Sequence, residues 1–233
     1  MSLTGSLASA ATSNAMTGVS RGVSQAIGKP TGGVTTPGSR DSLSHGEINW
    51  VNFNYPPLLR VIHYDIEELP SSLTGLVRRM NMSFNLTVLS CVLNLFDILV
   101  IVVSVEKAPK RWFIQSGLHL LMLPAAALAV FYSGYRGLAE PDQQLLTRYK
   151  VAQPILGAAF FIMALVPFGC INGLSKLATI SNFTDGSVFW TVVILIESFL
   201  WAVNALLAAG NLYGAKNFDQ FGACGSAAAG SRL

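Results

Sequence analysis

Four long runs of apolar residues, separated by shorter polar segments, dominate the second half of the chain. The runs lie at 86–105, 112–131, 151–171 and 188–208. A helix rises ~1.5 Å per residue, so about 20 apolar residues cross the ~30 Å hydrocarbon core of a bilayer. Because lipid offers no partner to backbone N–H and C=O groups, a helix is the favoured form for each run. The pattern predicts an all-α membrane protein, with a four-transmembrane-helix bundle at 86–208.

The segment 47–85 precedes the first run and is too rich in aromatic and apolar residues to be a free linker. Its first part contains Pro56-Pro57, which favours an extended backbone. From Ser71 onward, apolar residues recur at helical spacing beside Arg78-Arg79. We favour an interfacial amphipathic helix that precedes the first span, and the alternative is an early extension of that span. The apolar positions concerned are Leu69, Leu73, Leu76, Val77, Met80 and Phe84.

The two ends of the chain differ from its middle. Residues 1–46 are rich in Ser, Thr, Gly and Ala, and we expect a disordered tail because they can bury little surface. They contain no apolar core of a secretory signal. Residues 209–233 form the predicted C-terminal tail. We expect both tails in the cytosol, because that orientation places more of the flanking Lys and Arg residues inside, namely Arg78, Arg79, Arg136, Arg148, Lys150 and Lys216.

Composition and motif content argue against several classes of function. Only 12% of the residues are charged, the net charge is +3, and the basic residues are scattered, so we expect no nucleic-acid partner. The three cysteines form no CxxC pair. No catalytic triad motif, zinc motif or phosphate-binding loop is present in the sequence. We therefore expect no enzymatic activity, no cofactor and no metal.

Ionisable and amide side chains recur inside the predicted spans. Asp97, His119 and Glu197 fall at similar depths, and with Asn94 and Asn204 they predict an intramembrane polar layer. A charged group at the bilayer centre costs about 3 kcal/mol or more, so these residues need partners. One interpretation is hydrogen bonding between helices. The other is a proton or cation path, which would make the protein a small proton-coupled transporter or channel.

The connections between the runs are short. Residues 132–150 form the longest connection. The sequon Asn182-Phe183-Thr184 lies in the next connection, which the predicted topology places in the lumen. Asn182 is therefore a candidate glycosylation site.

The segment 54–70 carries a specific pattern: Asn and an aromatic residue, Pro-Pro, a short apolar stretch, a His-Tyr-Asp step, and an acidic pair before a final proline. This order resembles the segment that leads into the first span of the secretory carrier membrane proteins (SCAMPs), and the similarity continues over about 50–215. The tail lacks the Asn-Pro-Phe repeats common in that family. The matching positions are Asn54, Tyr55, Pro56, Pro57, His63, Asp65 and Pro70.

The resemblance implies four spans with both termini cytosolic. It implies a membrane component of post-Golgi and endosomal carriers, found at the Golgi, trans-Golgi network, endosomes, transport vesicles or plasma membrane. Such a protein acts in protein transport, exocytosis, endocytosis and membrane recycling by binding lipids, including anionic phosphoinositides, and vesicle trafficking proteins. Homo-oligomer formation stays open. The resemblance assigns lipid and partner binding to the connection after the second span, at Tyr132, Tyr135, Arg136, Arg148 and Lys150.

Overall fold

The computed structural model describes residues 48–104, 108–182 and 187–230. The predicted disordered tail at 1–46 lies outside these residues. Within the described ranges the secondary structure is helical, with two isolated β-bridges. The helices are α1 (Ser71–Ser104), α2 (Arg111–Ala139), α3 (Gln143–Leu165), a 3₁₀ helix (Leu174–Asn182) and α4 (Ser187–Gly230).

The four α-helices form a bundle in which each helix packs against two others. α1 contacts α2 and α4, and α3 contacts the same two helices from the opposite side. The connections from α1 to α2 and from α2 to α3 are short, which favours an antiparallel arrangement of each of these pairs. Residues 48–70, which we call the aromatic segment, lie where α1 begins. Because residues 54–62 of this segment form a hairpin, closed by a β-bridge between Tyr55 and Ile62, we call this the hairpin end of the bundle. The other end, which carries residues 166–182, is the loop end.

Three of the helices are long and apolar enough to cross a membrane: α1, α2 and residues Val188–Phe218 of α4. The third predicted span, 151–171, differs from the structure. Its helix ends at Leu165, because Pro167 disfavours a helical conformation at the preceding residue, and Val166 adopts an extended one. From Val151 to Leu165 the apolar part of α3 rises only about 22 Å. The prediction of four spans therefore stays a prediction.

The structure does not support a separate interfacial helix before the first span. α1 runs without a break from Ser71 to Ser104, in agreement with the early extension that we considered as the alternative. Its apolar face, which includes Val77 and Met80, is buried in a core cluster with residues of α2, α3 and the aromatic segment. Protein rather than the headgroup region covers this face.

Most of the predicted connection at 132–150 is helical in the structure. α2 continues to Ala139 and α3 begins at Gln143, so that only three residues link them. Asp142 caps α3, because its carboxylate accepts hydrogen bonds from the backbone N–H groups of Gln144 (2.8 Å) and Leu145 (3.2 Å).

The last helix extends past the predicted end of the fourth span. α4 continues from residue 208 to Gly230, and Asn211 and Ala215 are buried on the face that joins the bundle. Asn211 donates a hydrogen bond to the backbone carbonyl of Arg79 on α1 (3.3 Å). Most of the predicted C-terminal tail is therefore helical.

Candidate functional site

A buried polar cluster lies where α1, α2 and α4 meet the loop end. We call it the polar centre, and it consists of Asn94, Ser116, Cys170, Asn172 and Glu197. The Glu197 side chain, 1% exposed, is its hub. One carboxylate oxygen, Oε1, accepts from Asn94 Nδ2 (3.0 Å), and the other, Oε2, accepts from Asn172 Nδ2 (2.9 Å). The backbone N–H of Asn172 is a third donor, 3.4 Å from Oε1.

Asn94 connects the polar centre to two more elements. Its Nδ2 also donates to the backbone carbonyl of Cys170 (2.8 Å), and its Oδ1 accepts from the Ser116 hydroxyl of α2 (2.8 Å). All polar atoms of this buried amide therefore have partners, which is the usual condition for burying such a group. The centre ties α1, α2, α4 and residues 170–172 into one network.

Residues 166–173 turn back into the bundle after α3 ends. An isolated β-bridge pairs Phe168 with Ile171, and Gly169 between them has a φ of +58°, which glycine adopts readily. A Cβ atom at Gly173 would overlap the carbonyl carbon of Val166, so that only glycine fits where the two backbone segments cross. The Ser198 hydroxyl of α4 holds the end of this turn by donating to the Asn172 carbonyl (3.1 Å).

A lysine on the 3₁₀ helix covers the polar centre from the loop end. Lys176 Nζ donates to Asn172 Oδ1 and lies over the rings of Trp112 (5.3 Å) and Trp190 (5.2 Å). Burial lowers the pKa of Lys176 below its ordinary value, although the nearby Glu197 acts in the opposite direction. A hydrogen bond and two cation–π contacts thus anchor the 3₁₀ helix to the bundle.

The predicted intramembrane polar layer is only partly one site. Asn94 and Glu197 meet directly, and His119 Nδ1 reaches the centre through Cys170 Sγ at 3.3 Å. Asp97 is buried one turn beyond Asn94 on α1. Asn204 belongs to a second cluster, since it is seven residues from Glu197, about 10 Å along α4.

This second cluster joins α1 to α4. The Ser83 hydroxyl donates to Asn204 Oδ1, and Asn204 Nδ2 donates to the Thr87 hydroxyl (2.8 Å). Asn204 therefore lies outside the polar centre, because helical rise along α4 separates its amide from the Glu197 carboxylate. The sequence pattern did not indicate Asn172, Cys170 or Ser116 as members of this site, although Pro167 and Gly169 are signals for a break in the helix before residue 172.

At the hairpin end, the motif residues of the aromatic segment build a closed hairpin over 54–62, which we call the hairpin. Tyr55 and Ile62 exchange backbone hydrogen bonds of 3.0 and 2.9 Å. Asn54, the first residue of the hairpin, binds Tyr64 just after its end: Asn54 Oδ1 accepts from the Tyr64 N–H (2.8 Å), and Asn54 Nδ2 donates to the Tyr64 carbonyl (3.1 Å). Pro56 and Pro57 lie in the turn of the hairpin, and the Pro70 carbonyl accepts the Leu73 N–H at the start of α1.

His63 is buried between two acceptors. One ring nitrogen, Nε2, lies 2.7 Å from the Glu68 carboxylate, and the other, Nδ1, lies 3.0 Å from the Asn52 carbonyl. Burial alone would lower the pKa of His63, but both hydrogen bonds and the negative charges of Glu68 and Asp65 outweigh it and leave that pKa raised. The arrangement favours the protonated ring, in which both nitrogens donate.

The five residues predicted for lipid and partner binding differ in their exposure and in their contacts. Tyr135 is fully buried, and its hydroxyl accepts from the Asp65 N–H (3.2 Å). Arg136 pairs with Glu140 (2.8 Å) and stacks over Trp50 (5.1 Å). Tyr132 packs its ring against the same tryptophan, at 6.4 Å between centroids, whereas Arg148 and Lys150 lie on α3, the first exposed and the second partly buried.

Comparison with protein families assigns the chain to a family. The model of the SCAMP family matches residues 52–217, which include the hairpin, the polar centre and all four α-helices up to residue 217. The chain belongs to the SCAMP family. With its three long apolar helices, this SCAMP is a multi-pass membrane protein. Comparisons with curated proteins and with solved structures give no match. The side chain of Asn182, the candidate glycosylation site, lies outside the described residues.

Proposed function

We propose that this SCAMP is a component of post-Golgi and endosomal carriers that acts in exocytosis, endocytosis and membrane recycling by binding lipids and trafficking proteins. The observation that carries the proposal is the family match over 52–217, because SCAMPs are membrane trafficking proteins. In the proposed topology α3 also crosses the membrane, as the third of four spans, and the hairpin end and both termini face the cytosol. The Lys and Arg residues that flank the spans favour this orientation.

The hairpin end supports a binding role, because it presents basic and aromatic groups on a well-packed base. Trp50 packs against Tyr132, Tyr135 and Arg136, which fixes the aromatic segment on α2. Arg148 is exposed on α3, one turn before the apolar part of that helix begins. Each Lys or Arg near an anionic surface contributes about 1 kcal/mol, so Arg148 and Lys150 together provide a moderate attraction.

The transporter alternative has less support than hydrogen bonding between helices. Both carboxylate oxygens of Glu197 already accept from Asn94 and Asn172. We infer that the polar centre is a structural joint that holds residues 166–173 in the bundle.

Imaging of the full-length protein tests the trafficking role. With a fluorescent tag, the protein should overlap with trans-Golgi and endosome markers, and a block of exocytosis should increase its intracellular pool. Confinement to the endoplasmic reticulum, together with normal folding of the tagged protein, would reject the proposal.

Lipid binding has a separate test. The purified protein should bind vesicles with anionic lipids about 30-fold more weakly after Arg148→Ala and Lys150→Ala together, which corresponds to about 2 kcal/mol. The matched control is Gln144→Ala, an exposed neutral position on the same helix. Equal binding by the double variant and the control would reject this lipid contact.

A further inference from the structure

The tip of the hairpin exposes large apolar side chains outside the helices. Leu58 is 97% exposed and Leu59 is 70% exposed, and Val61 on the return strand is half exposed. The tip is held in shape by two backbone hydrogen bonds to the Pro56 carbonyl, from Leu59 (3.0 Å) and Arg60 (2.8 Å). Water is an unfavourable environment for adjacent leucines on a fixed turn, since each loses about 1.5–3 kcal/mol of burial energy when it stays exposed.

The base of the hairpin is attached to α1 and α2 at one definite height. The Tyr55 hydroxyl lies within hydrogen-bond distance of Asn81 Oδ1 (2.6 Å) and Asn85 Oδ1 (2.9 Å). The Tyr55 ring packs against Phe84 of α1 (5.9 Å) and Phe131 of α2 (6.2 Å). The tip follows directly after this anchored residue, so its height on the bundle is set by these contacts.

That height coincides with the start of the apolar surface of α1. Asn85 is the last residue before the first apolar run. Residues at spacings of three and four share one face of a helix, and the stripe through Asn81 and Asn85 continues through Leu89, Val92 and Phe96. These three side chains are about half exposed in the bundle, as expected for residues that face lipid. The hairpin is therefore anchored where the lipid-facing stripe of α1 begins.

The charge at the tip is complementary to a membrane surface. Arg60 is exposed beside Leu59, and its backbone φ of +49° lies in the left-handed region, which the Pro56 hydrogen bonds hold. A basic group next to exposed leucines matches the boundary between lipid headgroups and acyl chains.

We propose that the hairpin tip inserts Leu58 and Leu59 into the leaflet at the hairpin end, in the same bilayer that the helices cross. Arg60 lies at the headgroups of that leaflet. The tip thus adds a shallow lipid contact beside α1, with Tyr55 as its fixed base. This inference concerns the bilayer in which the protein resides and does not depend on the trafficking role.

Site-directed fluorescence on the full-length chain tests the insertion. In a chain with Cys224→Ser, which keeps the buried Cys91 and Cys170, Leu58→Cys is labelled with an environment-sensitive fluorophore and reconstituted into vesicles. The unsubstituted Cys224→Ser chain gives the background labelling. Glu67→Cys, exposed on the same segment, is the matched control. Leu59→Cys gives a second labelling site if the first variant fails to fold.

We expect lipids with a shallow spin label to quench the probe at residue 58 or 59 at least about twofold more than the probe at residue 67. Aqueous iodide should quench the probe at residue 67 more than the probe at residue 58 or 59. Iodide quenching at the tip equal to that at the control would overturn the proposal. Protection from both quenchers would also overturn it, because a second copy of the chain or a protein partner would then cover the tip.

Discussion

Replacement of Glu197 should weaken the attachment of the loop end to the helix bundle. Glu197→Leu removes the acceptor of the hydrogen bonds from Asn94 and from the side chain and backbone of Asn172, at 3.0, 2.9 and 3.4 Å. Side-chain hydrogen bonds in membrane proteins contribute ~0.6 kcal/mol on average and ~1.7 kcal/mol at most. The three contacts therefore sum to about 2–5 kcal/mol. Glu197→Gln keeps one acceptor oxygen, so we expect a loss of about half that size.

The free energy of unfolding in mixed micelles, followed by helical circular dichroism while the fraction of denaturing detergent is raised, measures this loss. The matched control is Glu67→Gln, an exposed carboxylate on the aromatic segment, for which we expect a change below ~0.5 kcal/mol. The order of stability should be unsubstituted protein, Glu197→Gln and then Glu197→Leu.

A double-mutant cycle makes the test specific to the proposed contact. Asn172→Ala and Glu197→Leu remove the two sides of one interaction, so their effects should sum to more than the effect of the double variant. If Glu197→Leu is as stable as the control, or if the two effects are additive, Glu197 is not the hub that holds residues 170–172.

Two other predictions concern packing and pH. Gly137→Ala should destabilise the protein by about 1–3 kcal/mol, because the added Cβ would lie 2.9 Å from the backbone nitrogen of Leu146, whereas Gly75→Ala, with nothing within 4 Å, should stabilise α1 by about 0.5–1 kcal/mol. Similar midpoints for the two variants in thermal unfolding would contradict the close approach of α2 and α3. The raised pKa of His63 means that its protonated pair with Glu68 stabilises the fold fully below the unfolded-state pKa of about 6.5, and that this stabilisation is lost as the pH rises through the raised folded-state value. The unsubstituted protein should therefore lose thermal stability relative to His63→Gln as the pH is raised above about 6.5, and a relative gain would contradict the assignment.

Local signals in the sequence were sufficient for the helices and for the family. The apolar runs gave α1, α2 and α4, because their composition and length leave a helix as the favoured form in lipid. The pattern at 54–70 identified the family because proline, aromatic and amide residues stand at fixed spacing. It did not show that Tyr55 closes a hairpin and reaches Asn81 and Asn85, since these contacts join residues 26 and 30 positions apart.

Only part of the polar centre could be predicted from the sequence, for a similar reason. A helical stripe places Asn94 and Glu197 on inward faces, but the partner that completes the site, Asn172, lies beyond α3 in a turn without periodicity. The apolar run continues from Val166 to Ile171, so the predicted span included these residues, which instead turn back into the bundle. Pro167 was the local signal for the end of α3, although proline inside a membrane helix is common enough to weaken it.

Whether α3 crosses the bilayer decides the proposed topology of four spans. Arg148 precedes the apolar part of α3, and Ser175 follows the helix at the loop end, and both are exposed. In the Cys224→Ser chain, Arg148→Cys and Ser175→Cys are treated in sealed microsomes, cytosolic face outward, with a maleimide that cannot cross membranes. We expect Arg148→Cys to be labelled at once and Ser175→Cys to be labelled only after detergent opens the vesicles. Labelling of both positions in sealed vesicles, or of Ser175→Cys alone, would contradict this topology.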